Sequence, residues 1–463
     1  MRVLLLNPPF LPEFMRSARW EAPSISGSNW YPIWLACCTG LLEKHGHTAR
    51  LIDAPVDKLS RDQVVREAAT FRPDLTVVYV SSMSLDNDIE VGECIAEATG
   101  SYIVLAGPWC SIKPDEVLLK STAINSLAQG EFDFTILELA EETPEKDILG
   151  LSWRQGNRVV RNSARPAVSA QELDRFPFVT DVYHRHLTMQ NYYQAPHLHP
   201  FVDLFTGRGC SWGKCTFCLW PQTITKDSSY RTRSVDNVMQ EFLFISKELP
   251  SVREVFIQDD TLPDWRAREL SSAILESGLD LVWSCYARPD MDYDTLRLMR
   301  EAGCRCVHVG YESSDSQILR NIRKGVTPRV AEKFTEAANR AGLLIHGDFV
   351  LGLPGETVQT IQATIKWARK LEVHSYQFTT PKIWPGTMFY EWLEKNRFLE
   401  DRQVAYPHLS NSELREWAKR AMRACYFQWG YLRRLLPLMG NCNEVRRLVR
   451  SSRYVIPHIA TRA

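Results

Sequence analysis

The feature that most constrains the fold of this chain is a strand–helix rhythm that occurs twice and is broken once. In residues 1–149, the apolar runs Val3–Leu6, Ala49–Ile52, Leu75–Val80, Tyr102–Ala106 and Ser126–Gln129 alternate with helical stretches at Trp34–His45, Ser60–Phe71, Asp86–Thr99 and Pro114–Ser121. Parallel strands need a crossover connection, usually a helix, so this alternation predicts a doubly wound parallel sheet. The runs close on turn formers: Asn7-Pro8, Asp53-Ala54-Pro55, Ser81-Ser82 and Gly107-Pro108. Loops at the carboxyl ends of such a sheet are where ligands bind.

Residues 150–199 break the rhythm. They open on Gly150–Arg154, carry Asn157, Asn162 and Pro166, and run through Leu173–Pro177 into an aromatic- and His-rich stretch. This segment reads as a small β-hairpin and a linker. The rhythm returns at residues 200–395, with strands expected at Val202–Phe205, Val255–Gln258, Leu281–Cys285, Cys306–Gly310, Leu343–Val350 and Tyr376–Thr379. Six βα units predict a partial (β/α)6 barrel with its site at the strand carboxyl ends. Residues 396–463, rich in Arg, Leu and Trp at helical spacing, read as a C-terminal helical extension. The fold class is therefore α/β.

Composition narrows the function. Lys+Arg and Asp+Glu both number 55, a balance that argues against a dedicated nucleic-acid or polybasic membrane surface. The opening apolar run is far too short for a membrane helix or a secretory signal. The chain is expected in the cytoplasm. Its 12 cysteines are then better explained by metal ligation or catalysis than by disulfides.

Three of those cysteines fall within nine residues, in Gly207-Arg208-Gly209-Cys210-Ser211-Trp212-Gly213-Lys214-Cys215-Thr216-Phe217-Cys218. Cys210, Cys215 and Cys218 directly follow the first strand of the second domain, as in a loop that wraps one metal centre. The glycines allow close backbone approach, and Lys214 is placed to favour thiolates. A structural zinc site normally takes four ligands in two separated pairs, and no second CxxC is present. Unrelated buried cysteines are the bland alternative. Three thiolates with one position open suit an iron–sulfur cluster that binds a further ligand at iron.

The loop and the stretches behind it resemble the radical S-adenosylmethionine (SAM) enzymes of the branch with an N-terminal cobalamin-binding-like domain. The family loop is CxxxCxxC with an aromatic before the last cysteine. Phe217 supplies the aromatic, while Cx4CxxC is one residue longer and Gly213 is the place to absorb it. Tyr230–Ser234, Phe256–Asp260, Trp283–Arg288, Gly310–Ser313, Lys324-Gly325, Gly347–Thr357 and Pro385–Thr387 match further family segments in order. The resemblance implies a 4Fe-4S cluster on Cys210, Cys215 and Cys218. It implies SAM held by Phe217, Gln258, Arg288, Gly310, Glu312, Ser313, Gly352 and Leu353, with Glu312 on the ribose or ammonium. Reductive cleavage would then give a 5′-deoxyadenosyl radical that abstracts hydrogen from substrate. Each segment also has a bland reading, for example Asp259 and Asp260 as helix caps.

The resemblance leaves cobalamin open: the DxHxxG signature is absent from residues 1–150, and bulky Trp109 follows Gly107-Pro108 in a loop where relatives often have a glycine pair and a histidine. Trp30–Ala36, Leu51–Pro55 and Cys218–Thr223 resemble a narrower subgroup, the diol-dehydratases of apramycin-type aminoglycoside pathways and hopanoid-associated enzymes. That likeness implies dehydration of a 1,2-diol in a sugar-like or polyol substrate. Asp259, Asp260 and Asp348 would bind hydroxyls or an ammonium, and Tyr311 and His346 would transfer protons. A flavodoxin- or ferredoxin-type electron donor is implied, with a separate reductase as a further partner. The alternatives are a cobalamin-dependent radical SAM methyltransferase and a non-catalytic metal-binding scaffold.

Overall fold

The computed structural model describes residues 1–460 except 13, 17–20, 25, 157 and 226–228, so Asn157 of the expected hairpin lies outside the described residues. The chain divides into two compact units. One is Met1–Gln194 with Val202–Leu204 and Thr223–Lys226; the other is Ala195–Phe201, Phe205–Gln222 and Asp227–Ala463.

In the first unit, β1 (Arg2–Asn7), β2 (Thr48–Asp53), β3 (Leu75–Tyr79), β4 (Tyr102–Ala106), β5 (Ser126–Ala128), β6 (Leu151–Gln155) and β7 (Arg158–Arg161) form one sheet in the order β2-β1-β3-β4-β5-β6-β7. Pairing is parallel through β5. Strand β1 is buried from Val3 to Asn7 because both faces are covered, which is why it reads as a continuous apolar run and not an alternation. The expected hairpin is present but does not stand apart: β6 pairs antiparallel with β5, Ser126 opposite Trp153, and β7 pairs with β6.

The order 2-1-3-4-5 of the parallel strands puts the topological switch point between β1 and β3. This chain's own side chains fill that crevice. The antiparallel pair Phe14–Arg16 and Glu21–Pro23 delivers Arg16, whose guanidinium donates to Asp88 Oδ1 (2.6 Å), Pro8 O (2.6 Å), Asn7 Oδ1 (3.2 Å) and Ser84 Oγ (3.0 Å). The pair is fully buried and tolerable because its hydrogen bonds are made. The remaining cavity, about 10 Å³ beside Asn7, Arg16, Trp34 and Tyr79, has room for roughly one water.

The second sheet comprises β8 (Phe201–Leu204), β9 (Glu254–Ile257), β10 (Trp283–Ala287), β11 (Cys304–Glu312), β12 (Leu344–Val350) and β13 (Ser375–Thr379), in that order. Strands β9 to β13 are parallel, and β8 is not paired with β13, so the barrel is open. The third strand starts two residues later than the sequence suggests.

Strand alternation sorts the side chains. Tyr311, Phe349 and Phe378 face the helices: their rings stack at 5.5 and 4.7 Å, and Trp367 of α1 (Val358–Lys370) meets Tyr311 edge-on at 5.8 Å. Register sets His308, His346 and Ser375 in one row of the opposite face, with Gly310, Asp348 and Gln377 in the next. The C-terminal extension is helical. Tyr426, on α2 (Asn411–Tyr426), donates its hydroxyl to Tyr376 O (3.0 Å) and accepts from Tyr376 N (2.9 Å). Glu444, on α3 (Cys442–Ala460), pairs with Arg305 of β11.

Candidate functional site

The cysteine loop is built from its base. Gly207–Arg208 pairs antiparallel with Arg231–Thr232. Gly209 sits at φ +95°, and a Cβ there would lie 2.1 Å from Ser229 O, so only glycine closes this neck. Asp259, at the end of β9, clamps both sides: it accepts from Thr206 N (2.7 Å), Gly207 N (3.1 Å), the Thr206 hydroxyl and the Tyr230 hydroxyl. Burial pushes its carboxyl up, opposed by those bonds. Asp259 is thus a positioning residue, and its expected catalytic role is corrected: both carboxylate oxygens are committed to holding the loop.

Cys210, Cys215 and Cys218 are partly buried and free of disulfides. Their backbone is held by neighbours: Thr216 N donates to Ile322 O (3.0 Å) and Phe389 N to Thr216 O (3.0 Å). Gln222, in a π-helical turn Trp220–Ile224, donates to Cys215 O (2.9 Å) and Cys218 O (2.8 Å) and accepts from Met388 N (2.9 Å). Such turns recur at functional sites. Among the described residues no three His, Cys, Asp or Glu converge as a single-ion site; a four-iron cluster is wider than one ion and spaces its thiolates further apart. Phe217 packs on Ile318, Leu319, Ile322 and Leu353, which brings two of the expected SAM residues together.

The longer Cx4C spacing has a structural purpose. Trp212, inside it, donates from Nε1 to Arg323 O (2.8 Å). Its ring lies against Gly325, where a Cβ would come within 2.1 Å, and the Arg288 guanidinium stands over it at 4.6 Å. Gly325 also has φ +76°. Gly325→Ala is therefore expected to push Trp212 out and cut cluster loading at least several-fold, read as bound iron per chain. Lys214, expected to favour the thiolates, lies over Trp212 instead (5.1 Å). Burial pushes the Cys215 thiol up, and the cations that oppose it are Lys324 and, more weakly, Arg288.

Lys324 Nζ pairs with Glu312 Oε1 at 2.7 Å. Burial, the largest influence, works against the ammonium; Glu312 and Cys215 overcome it and hold Lys324 above its ordinary value. Glu312 has φ +61°, and the β11–β12 register slips between Gly310 and Glu312. A bulge re-aims a side chain, and here it turns Glu312 toward Gly310, where any Cβ would lie 2.5 Å from Glu312 Oε1 and 2.9 Å from Lys324 Nζ. Arg288 Nη2 donates to Lys324 O (3.3 Å) and Asp290 (2.8 Å). Cys215, Glu312, Lys324 and Arg288 thus form one neighbourhood. Glu312→Gln should keep the cluster while weakening SAM binding about tenfold, the order expected for losing one charge-assisted bond; unchanged binding by calorimetry would remove Glu312 from the site.

His346 Nδ1 bonds the Ser375 hydroxyl (2.7 Å), and its Nε2 stands 3.4 Å from Asp348 Oδ1. Gln258 and His308 are buried on the same sheet, and Asp260 is half-buried just past β9. Gly352, at φ +108°, donates to Glu356 (3.0 Å) and accepts from Tyr406 (3.0 Å). Two further expectations are corrected. Tyr311 faces the helices and bonds the Thr335 hydroxyl (2.7 Å), because it alternates with Gly310. Ser313 accepts from Asp315 N (3.1 Å) and meets Thr364 (3.3 Å), so its hydroxyl ties a turn to α1. Tyr311→Phe is expected to cost about 1 kcal/mol of stability and leave SAM cleavage unchanged. Trp212, Gln222 and His308 were not singled out as site residues by sequence; the inserted residue in Cx4C was the one trace of Trp212.

Residues 204–368 match the radical SAM superfamily. The chain is 28% identical to an uncharacterized methyltransferase of Pyrococcus horikoshii, over 86% of this chain and 84% of that protein. It is 23% identical to the anaerobic magnesium-protoporphyrin IX monomethyl ester cyclase of Rubrivivax gelatinosus, over 85% and 70%. Among solved structures, the radical SAM methyltransferase TsrM of Kitasatospora setae, with cobalamin and a 4Fe-4S cluster bound, superposes with a TM-score of 0.68 at 18% identity, covering 96% of this chain and 90% of that one. Methyltransferases and a cyclase carry these similarities, and the expected diol-dehydratase likeness finds no support in them.

Proposed function

We propose that the chain, whose residues 204–368 match the radical SAM superfamily, is a cobalamin-dependent radical SAM methyltransferase acting on a small molecule. The observation that carries the reading is that similarity to a methyltransferase runs over 86% of the chain, through both units and not the cysteine-bearing one alone.

The donor set fits a cluster. Three thiols lie on a loop whose carbonyls and neck are fixed by Gln222, Thr216 and Asp259, and Cys210, Cys215 and Cys218 would hold it. Glu312 would meet the cationic part of SAM, with Gly310 leaving room for the approach. Phe217 and Leu353, in their apolar cluster, would keep water away. The strand ends of the first sheet, at Asn7, Asp53, Tyr79 and Ala106, offer no imidazole, so a corrin held at this edge would take no histidine from these four positions. Arg16 and Asp88 close the crevice itself, and a corrin would rest outside it. When bound, the cluster supplies the electron that splits SAM, and cobalamin supplies a cobalt that carries the methyl group.

The residues of the sheet then orient substrate: Ser375 fixes the His346 ring, and His346 Nε2 in turn holds Asp348 Oδ1 at 3.4 Å, so that the carboxylate is positioned by the ring behind it.

The test is product analysis of the anaerobically reconstituted, reduced protein supplied with SAM and cobalamin. S-Adenosylhomocysteine together with bound corrin supports methyl transfer. 5′-Deoxyadenosine alone, with no corrin retained, would overturn it and favour dehydration or rearrangement.

A further inference from the structure

Two buried polar atoms at the centre of the second sheet, Gln258 Oε1 on the β9 side and His308 Nε2 on β11, are among those with no partner. Their residues are 2% and 4% exposed. Leaving such an atom unpaired is costly, and each instance in a native fold calls for a reason.

Register places the two residues together. Ile257 is opposite Cys285, so Gln258, one residue on, continues opposite Tyr286; Tyr286 is opposite His308, and His308 opposite His346. The row is walled by rings. His308 stacks on His197 at 4.9 Å, tilts against His346 at 4.8 Å and takes the edge of Tyr286 at 5.4 Å. Burial, then His346, His197 and Arg305, drive the His308 pKa well below its ordinary value, so the ring is neutral. His346 has both nitrogens engaged, which leaves Gln258 and His308 as the unsatisfied members.

We propose that the row Gln258–His308–His346 is a substrate-binding floor for a flat, uncharged group that carries an N–H or O–H donor. The donor requirement follows from Gln258 Oε1, which can only accept; the neutral His308 ring adds a second acceptor at Nε2 when its proton sits on Nδ1. The absence of charge follows from the site. Asp348, one row toward the strand ends, is already engaged by His346, and an unpaired ion buried here would lose its hydration for nothing in return. Flatness matches the ring walls. The inference rests on reading this sheet as the catalytic unit, gives Gln258 to substrate where the family resemblance implied SAM, and adds what kind of molecule the sheet takes.

Matched fragments test it: phenol against anisole and indole against N-methylindole, titrated by calorimetry into the holoprotein with its cluster and SAM. Phenol and indole should bind at least tenfold tighter than their methyl-blocked counterparts. Gln258→Leu should abolish that preference while leaving Tm unchanged or higher, because it removes an unpaired atom; His308→Phe should do the same, and Gln258→Leu stands alone if His308→Phe does not fold. Equal affinity of blocked and unblocked fragments, no binding of any fragment, or a lowered Tm with the preference intact would each overturn the floor. SAM cleavage on the same samples separates the failures: cleavage without donor preference sinks only this inference, whereas donor preference without cleavage sinks the catalytic reading.

Discussion

Replacing Cys210, Cys215 and Cys218 together by alanine is expected to reduce bound iron to background and to abolish SAM cleavage, while the protein stays folded. The first half follows from ligand chemistry: thiolates hold such clusters, and these three stand free of disulfides on one loop. The second half follows from the loop. Its shape is set by the Gly209 neck, the Asp259 clamp, the Gln222 bonds to two cysteine carbonyls and the Trp212 anchor, none of which uses a thiol. Tm of the triple variant should therefore fall by no more than a few degrees relative to wild-type protein stripped of its cluster. A full cluster in the triple variant would refute the ligand assignment. A collapse in Tm would mean that metal binding and folding are coupled here.

The strand–helix rhythm of both sheets was legible because strands buried on two faces read as unbroken apolar runs, as Val3–Leu6 and Val255–Ile257 do. What the sequence hid was orientation. Tyr311 and Glu312 are adjacent, and regular alternation would send them to opposite faces without saying which one meets the site; the slip between Gly310 and Glu312 settles it for Glu312 and leaves Tyr311 among the helices. Asp259 looked catalytic because carboxylates at strand ends often are, but its value lies in four hydrogen bonds from three residues on two separate stretches, a long-range arrangement that spacing cannot reveal. The hairpin was recognisable as a hairpin; its pairing with β5 depends on which sheet edge is free. The extra residue in Cx4C looked like a defect in a pattern and is accommodated by Trp212 seated on Gly325.

The same contrast explains where polar groups are tolerated in the second unit. Around Glu254 four donors converge on one carboxylate, whereas two rows along the same face Gln258 Oε1 and His308 Nε2 are left open. Satisfied networks rigidify a core, and unpaired buried groups are costly. The sheet thus has a locked end and, two rows on, an open one.

The locked end gives the largest stability effect. Glu254 accepts from His197 Nδ1 (2.8 Å), Leu198 N (2.7 Å), Arg305 Nη1 (3.1 Å) and the Ser284 hydroxyl, and Arg305 bridges on to Glu444 of α3. Breaking a buried pair by removing one partner leaves an uncompensated charge and costs about 3–5 kcal/mol. Glu254→Ala is accordingly expected to lower Tm by roughly 6–20 °C, at the ~2–4 °C per kcal/mol of a domain this size. The pH dependence has a definite sign. Burial raises the Glu254 carboxyl, but Arg305 and His197 outweigh it and hold the pKa at about 2, below the ordinary 4.5. A depressed carboxylate contributes stability that is complete above about pH 4.5 and is lost as pH falls toward 2, in all about 3 kcal/mol. Urea melts from pH 7 to pH 3 should show wild-type stability falling through that window and the variant, already destabilised, falling less steeply. Parallel pH profiles for the two proteins would show that the carboxylate is not the group that couples α3 and β11 to β9.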